Sequence, residues 1–176
     1  MAIGAGFSTL DPGYVYEKYP PLVINACYEN LFKFYSNDGA AEPCLADSYE
    51  FSDDNKTLTV KLKENVTFAS GNKMTSADVA FSINRCKNLQ GNPSFICDTI
   101  DSIETPDDYT LVIKLTQAWA PFINRLTQFC IISPAALEEY GNDIMNHPCG
   151  TGPYVCTEWE EGDHTSFKRN DDYWGC

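Results

Sequence analysis

Histidine is scarce in this chain: only His147 and His164 occur in 176 residues. There is no Cys-x-x-Cys pair, and 12 basic residues face 25 acidic ones. Each shortage closes off a class of function. A thiol hydrolase needs a cysteine, a histidine base and an orienting group in one arrangement, and neither histidine lies in a recognisable nucleophile motif. His147-Pro148-Cys149 offers two metal-binding side chains, but nothing nearby in sequence completes a set. Without Cys-x-x-Cys, thioredoxin-like and zinc-ribbon chemistry have no footing. Gly150-Thr151-Gly152-Pro153 lacks the lysine and spacing of a phosphate loop, and Asp53-Asp54-Asn55 and Asp171-Asp172 lack the spaced pattern of a calcium loop. A net charge of −13 repels nucleic acid and anionic membranes. No apolar run reaches membrane-spanning length. Met1-Ala2-Ile3-Gly4 has neither the basic start nor the apolar stretch of a secretory leader, so a signal segment is expected to be absent from this chain. The expectation is a binding protein rather than an enzyme, with no catalytic residue, no metal ligand and no cofactor.

What is present describes a globular chain long enough to bury a core. Its composition, 43% hydrophobic and 13% aromatic, is not that of a disordered segment. Ten tyrosines suit either the rim of a β-rich core or a mixed-ligand pocket. Eight cysteines stand at positions 27, 44, 86, 97, 130, 149, 156 and 176. Their even number permits about 105 complete pairings. Reduced buried thiols, disulfides and a metal site all stay open; Cys86 with Cys97 and Cys149 with Cys156 are the nearest pairs in sequence.

Periodicity supplies the elements. Residues 1–10 read as a strand that Asp11-Pro12-Gly13 breaks. Apolar positions from Leu22 to Leu31 recur at helical spacing behind Pro20-Pro21, and Leu31 to Tyr35 reads as a strand. Thr57 to Lys63 alternates apolar and polar side chains and pairs with Tyr49-Glu50-Phe51 around Asp53-Asp54-Asn55-Lys56, a hairpin. Thr75-Ser76-Ala77-Asp78 resembles a capping box opening a helix through Val79, Ile83 and Cys86. A second hairpin joins 100–104 to 109–115. Short helices follow over 121–128 and, behind a first-turn proline, over 134–140, with a strand at 130–132 between them. Gly150 to Gly175 reads as a glycine-proline turn and a last hairpin around Glu160-Glu161-Gly162-Asp163. The fold class is mixed α/β, or α+β, with mostly antiparallel strand neighbours.

Several collinear segments carry a resemblance. They are Ser8-Thr9-Leu10-Asp11-Pro12, Tyr28-Glu29-Asn30-Leu31, Pro43 to Tyr49, Ser52 to Thr57, Val66 to Gly71, Thr75 to Val79, and Gly150-Thr151-Gly152-Pro153-Tyr154 with Asn170 to Trp174. In this order they resemble the family 5 extracytoplasmic solute-binding proteins, the peptide- and nickel-binding components of ABC importers. Lys63 departs from the family, which usually has arginine nearby. The richness in cysteine is a second departure. The resemblance implies the N-terminal part of a periplasmic-binding-protein-like lobe: 1–39 begins its main sheet, 40–147 forms an inserted α+β subdomain, 148–176 returns to the main sheet, and the second lobe is absent. It implies a solute, oligopeptide or dipeptide first, captured outside the cytoplasm by a periplasmic or cell-surface lipoprotein and handed to membrane permease subunits. The alternative is a stand-alone protein-interaction module derived from the same lobe, in which uncovered edges favour self-association.

The segment after Asp11-Pro12 is the expected ligand-facing loop. Tyr14, Val15 and Tyr16 are its candidate contacts, with room for strand addition to a peptide backbone. Phe95, beyond the helix that starts at Thr75, is the fourth. Gly150 to Tyr154, Trp159, Tyr173 and Trp174 are expected to shape and pack the lobe rather than touch ligand.

Overall fold

A computed structural model of the chain describes residues 9–14, 20–35, 39–89, 92–160 and 163–175. Residues 1–8 of the strand expected over 1–10 lie outside them, and Thr9 and Leu10 are not in a strand.

The centre is a four-stranded antiparallel sheet. Strands β3 (Ala46–Phe51) and β4 (Thr57–Leu62) form the first hairpin, β5 (Ile100–Asp107) and β6 (Thr110–Leu115) the second, and their order is β3-β4-β6-β5. The alternation in β4 decides its register. Leu58, Val60 and Leu62 point to one face and are buried, and Leu58 and Val60 sit opposite Ile113 and Leu111 of β6. The tip between β3 and β4 works because Asn55 tolerates a left-handed backbone, φ 55°. The Asp54 carboxylate there accepts from the Ser52 hydroxyl at 2.6 Å and the Lys56 amide at 3.0 Å.

Helix α2 (Ser76–Leu89) covers the apolar face of the sheet. Its buried residues Ser76, Val79, Ser82, Ile83 and Cys86 recur every three or four positions, the stripe of an amphipathic helix. At its start the Asp78 carboxylate accepts from both the amide and the hydroxyl of Thr75, at 2.7 and 2.9 Å. This is half of a capping box: the acid reaches back as expected, but the hydroxyl donates to it instead of accepting from a helix amide. Further along, the Ser82 hydroxyl accepts from the Ile132 amide at 3.1 Å, pinning the helix to the segment that follows α3 (Phe122–Leu126). Helix α4 (Pro134–Tyr140) is capped by Ser133, which accepts from the Ala136 amide at 3.2 Å.

Two smaller pieces flank this core. Helix α1 (Pro20–Cys27) is shorter than its sequence pattern, and Tyr28 to Leu31 turn inward below it. The strand expected over Leu31 to Tyr35 shrinks to β1 (Phe32–Lys33), paired with β2 (Glu42–Pro43), because Phe34 and Tyr35 are exposed and have no apolar face to cover. The strand expected at 130–132 is a single bridge from Cys130 to Asn30. Its apolar residues are buried against α1 and α2 rather than laddered into a sheet. Strands β7 (Tyr154–Glu160) and β8 (His164–Arg169) make the last hairpin; Glu161 and Gly162 of its expected loop lie outside the described residues. Among the described residues no helix is long and apolar enough to cross a membrane.

Candidate functional site

The opening turn is rigid by construction. Asp11, buried to 3% exposure, accepts from the Gly13 amide at 2.9 Å, and its own carbonyl accepts from the Tyr14 amide at 3.1 Å. Arg85 of α2 meets the same carboxylate with two parallel donations, at 2.9 and 2.5 Å. Such a fork fixes direction as well as charge. Burial works against the Arg85 charge, but Asp11 outweighs it and holds the guanidinium above its usual range. A Cβ on Gly13 would fall 2.5 Å from Arg85 Nη1, so glycine is needed for the fork to lie against the turn. Tyr28 joins this group from below. Burial, then the Asp11 charge, raises its phenol well above the ordinary value, so it stays neutral, and its oxygen accepts from the Cys149 amide at 3.2 Å.

Tyr14 ends this braced turn half-exposed. Behind it a small pocket is lined by Pro12, Gly13, Ser82, Arg85, Gln128 and Phe129, among others, with a volume of about 10 Å³. That is the room of one water, so the turn is a ledge and not an enclosed ligand cavity. Val15 and Tyr16 lie outside the described residues. Phe95 is half-buried in different surroundings. The Arg125 guanidinium lies 5.0 Å from both its ring and the Trp119 ring, and Arg125 donates to the Phe95 carbonyl at 3.1 Å. Its position is held by packing in the sheet-centred core.

The most connected polar residue is one that sequence reasoning passed over as a ligand or anchor in its own right. Glu29, 2% exposed, accepts from Lys33 Nζ at 3.0 Å, the Tyr173 hydroxyl at 2.9 Å, the Trp174 indole at 2.6 Å and the Thr151 hydroxyl at 3.2 Å. It therefore ties the Tyr28-Glu29-Asn30-Leu31 segment to both the glycine-proline turn and the closing tyrosine-tryptophan pair. A buried carboxylate with this many donors is satisfied. Burial and the Glu29 charge together raise the Tyr173 phenol. The glycines of the turn fit the same joint. A Cβ on Gly150 would lie 2.3 Å from the Cys27 carbonyl and one on Gly152 2.6 Å from the Ala26 carbonyl, while the Gly152 amide donates to Cys27 at 2.9 Å. Lys63 donates to the Cys44 carbonyl at 2.6 Å and sits 4.7 Å from the Trp174 ring centre. One ammonium suffices for those contacts, which accounts for lysine where a fork is not used.

Burial pushes the Cys27 and Cys130 thiols up to about 12, far from thiolate at neutral pH. The side-chain partners of His147 and His164 are carboxylates: Asp143 for the first, Glu158 and Asp163 for the second. The seven described cysteines are free thiols, and Cys176 lies outside the described residues.

Residues 40–176 match the profile of bacterial extracellular solute-binding proteins, family 5 Middle. The chain belongs to that family. The glutathione-binding protein GsiB of Pectobacterium atrosepticum is 35% identical across 99% of this chain and 34% of its own length. Among solved structures, NikZ from Campylobacter jejuni in complex with Ni(L-His) is 25% identical, with a TM-score of 0.88 over 99% of this chain and 36% of that one. AgaA from A. tumefaciens R10 in complex with agropinic acid is 32% identical, with a TM-score of 0.87 over 97% of this chain and 35% of that one. The fold is thus part of a periplasmic-binding-protein lobe, mixed α/β as its elements indicate. The chain spans about a third of the length of the curated relatives it matches.

Proposed function

We propose that the chain is the first-lobe portion of a solute-binding component of an ABC importer, with short peptides and related amino-acid conjugates as its solute class. Family membership and the braced ledge under Tyr14 support this reading. An aromatic side chain on a turn locked by a buried ion pair is pre-organised for contact and loses little entropy on binding. Glutathione, a nickel-histidine complex and agropinic acid in the names of its relatives favour small solutes built on amino acids. On this reading residues 40–147 are a subdomain inserted in the lobe, the protein works outside the cytoplasm, and it delivers solute to membrane permease subunits. Closure of a second lobe over the ledge completes the site, a hinge motion. Tyr14 and Phe95 are the proposed contacts, with Val15 and Tyr16 assigned on the resemblance alone.

The test is calorimetric titration of a longer chain, carrying the part that its relatives have beyond this one, with di- to pentapeptides and glutathione. Tyr14→Ala is expected to weaken binding roughly tenfold, the scale of an aromatic anchor, with the melting temperature unchanged. Equal affinity in the Tyr14→Ala, Tyr16→Ala and Phe95→Ala variants would remove these residues from the site.

A further inference from the structure

We propose that Arg125 is a carboxylate anchor for the solute, its guanidinium held over the Phe95 and Trp119 rings with donors left for a two-pronged contact. The inference rests on the solute-binding role proposed above. Arg125 stands near the end of α3, whose residues Phe122, Ile123 and Leu126 are buried, while Arg125 itself is half-buried. Its guanidinium carbon lies 5.0 Å from the centre of each ring, and Nη1 donates to the Phe95 carbonyl at 3.1 Å. A guanidinium over aromatic faces is attracted by their quadrupoles. Held this way, it has less freedom to lose when a ligand binds. A guanidinium carries five N–H donors, and the Phe95 carbonyl accepts from one nitrogen. Among the described residues no carboxylate pairs with the group.

Arg85 shows the contrast. Both of its terminal nitrogens donate to Asp11, so its charge is neutralised within the fold. Arg125 keeps its charge, in a chain of net charge −13 whose field opposes an anionic solute. A lysine would serve less well, because only a planar fork offers two parallel donors to a carboxylate while resting on a ring. The placement fits as well. The Arg125 carbonyl accepts from the Gln128 amide at 3.0 Å. Arg125 therefore lies one turn before Gln128, Phe129 and Cys130, which line the small pocket beside Pro12 and Gly13. Segment 125–130 joins two of the proposed contacts, with Phe95 at one end and the turn that carries Tyr14 at the other. A solute lying between them would meet Arg125.

The test titrates a longer chain carrying the second lobe with two pairs of probes: trialanine against trialanine amide, and glutathione against its diethyl ester. In whichever pair binds, the native protein is expected to prefer the free acid roughly ten- to a hundredfold, the scale of hydrogen bonds to a charged group. Arg125→Gln should bring that ratio close to one. Arg125→Lys, which keeps the charge without the fork, should leave an intermediate ratio. The ratio separates anchoring from packing, since a loosened Phe95 would weaken acid and neutral forms alike. No acid preference in the native protein, or an equal preference in Arg125→Gln, overturns the anchor and leaves the solute-binding role standing. An undiminished preference in Arg125→Lys overturns the fork, a result that does not depend on the glutamine variant folding. Failure of all four probes to bind the native chain overturns the role and the anchor together.

Discussion

The four-stranded sheet and the β7–β8 hairpin use the same antiparallel ladder, yet different forces hold them. The sheet hides Leu58, Val60, Leu62, Leu111, Ile113 and Leu115 beneath α2, and burial of that apolar area stabilises it directly. No residue within β7 or β8 is fully buried among those described. A two-stranded hairpin without an apolar face is marginal in water. This one is fastened at its base by polar contacts. The Asn170 amide donates to the Pro153 carbonyl at 2.8 Å, the Asn170 side chain donates to Gly152 at 3.1 Å, and Glu29 gathers Thr151, Tyr173 and Trp174. One region is spread over many small contributions, and the other hangs on a few residues.

That contrast predicts where single changes act. The largest effect belongs to Glu29→Ala, which leaves a half-buried ammonium, an indole and a phenol without their acceptor. It should cost roughly 3–5 kcal/mol in urea unfolding, and amide exchange in 154–169 should rise before exchange in the sheet does. Leu111→Ala should cost about 3 kcal/mol through its cavity, but with every spectroscopic probe shifting together, because the sheet core unfolds as one unit. If the hairpin stays protected in Glu29→Ala, or comes loose first in Leu111→Ala, the contrast fails. Gly150→Ala drives a Cβ against the Cys27 carbonyl and should cost about 2 kcal/mol, reported by Trp174 fluorescence at the joint.

The smallest effect is electrostatic and lies at the hairpin tip. Asp163 and then Glu158 raise the pKa of His164 above 6.5. A raised folded-state pKa favours the fold while pH is below the unfolded value, and that contribution is lost as pH rises through the folded one. Titration of the His164 ring by NMR should give a midpoint above 6.5, and Asp163→Asn should lower it. An unchanged midpoint in that variant would rule out the Asp163 contact.

Legibility in the sequence follows the same division. The β3–β4 hairpin was readable because Leu58, Val60 and Leu62 alternate without interruption, and α2 because its buried stripe and the Thr75-to-Asp78 start are local signals. The bridge at Cys130 was not: Cys130-Ile131-Ile132 is as apolar as a strand, but its partner Asn30 is distant in sequence and only one pair forms. Glu29 was visible only as a letter in a motif. Its partners Thr151, Tyr173 and Trp174 lie more than 120 positions away, and no periodicity connects them. The opening loop was legible as far as Asp11-Pro12-Gly13. Its brace was not, since Arg85 carries no mark in α2 beyond its position on the helix. The cysteines gave a count but not an arrangement; the structure buries five of the seven described ones as free thiols.

On the proposed function, this chain carries half of a solute cleft. The most direct measurement is calorimetric titration of the 176-residue chain beside a longer chain with the second lobe, using the same peptide and glutathione ligands. Saturable binding is expected of the longer chain and weak or no binding of the 176 residues alone, because a half-enclosed ligand forfeits most of its contacts. Tight, saturable binding by the 176-residue chain alone would contradict it.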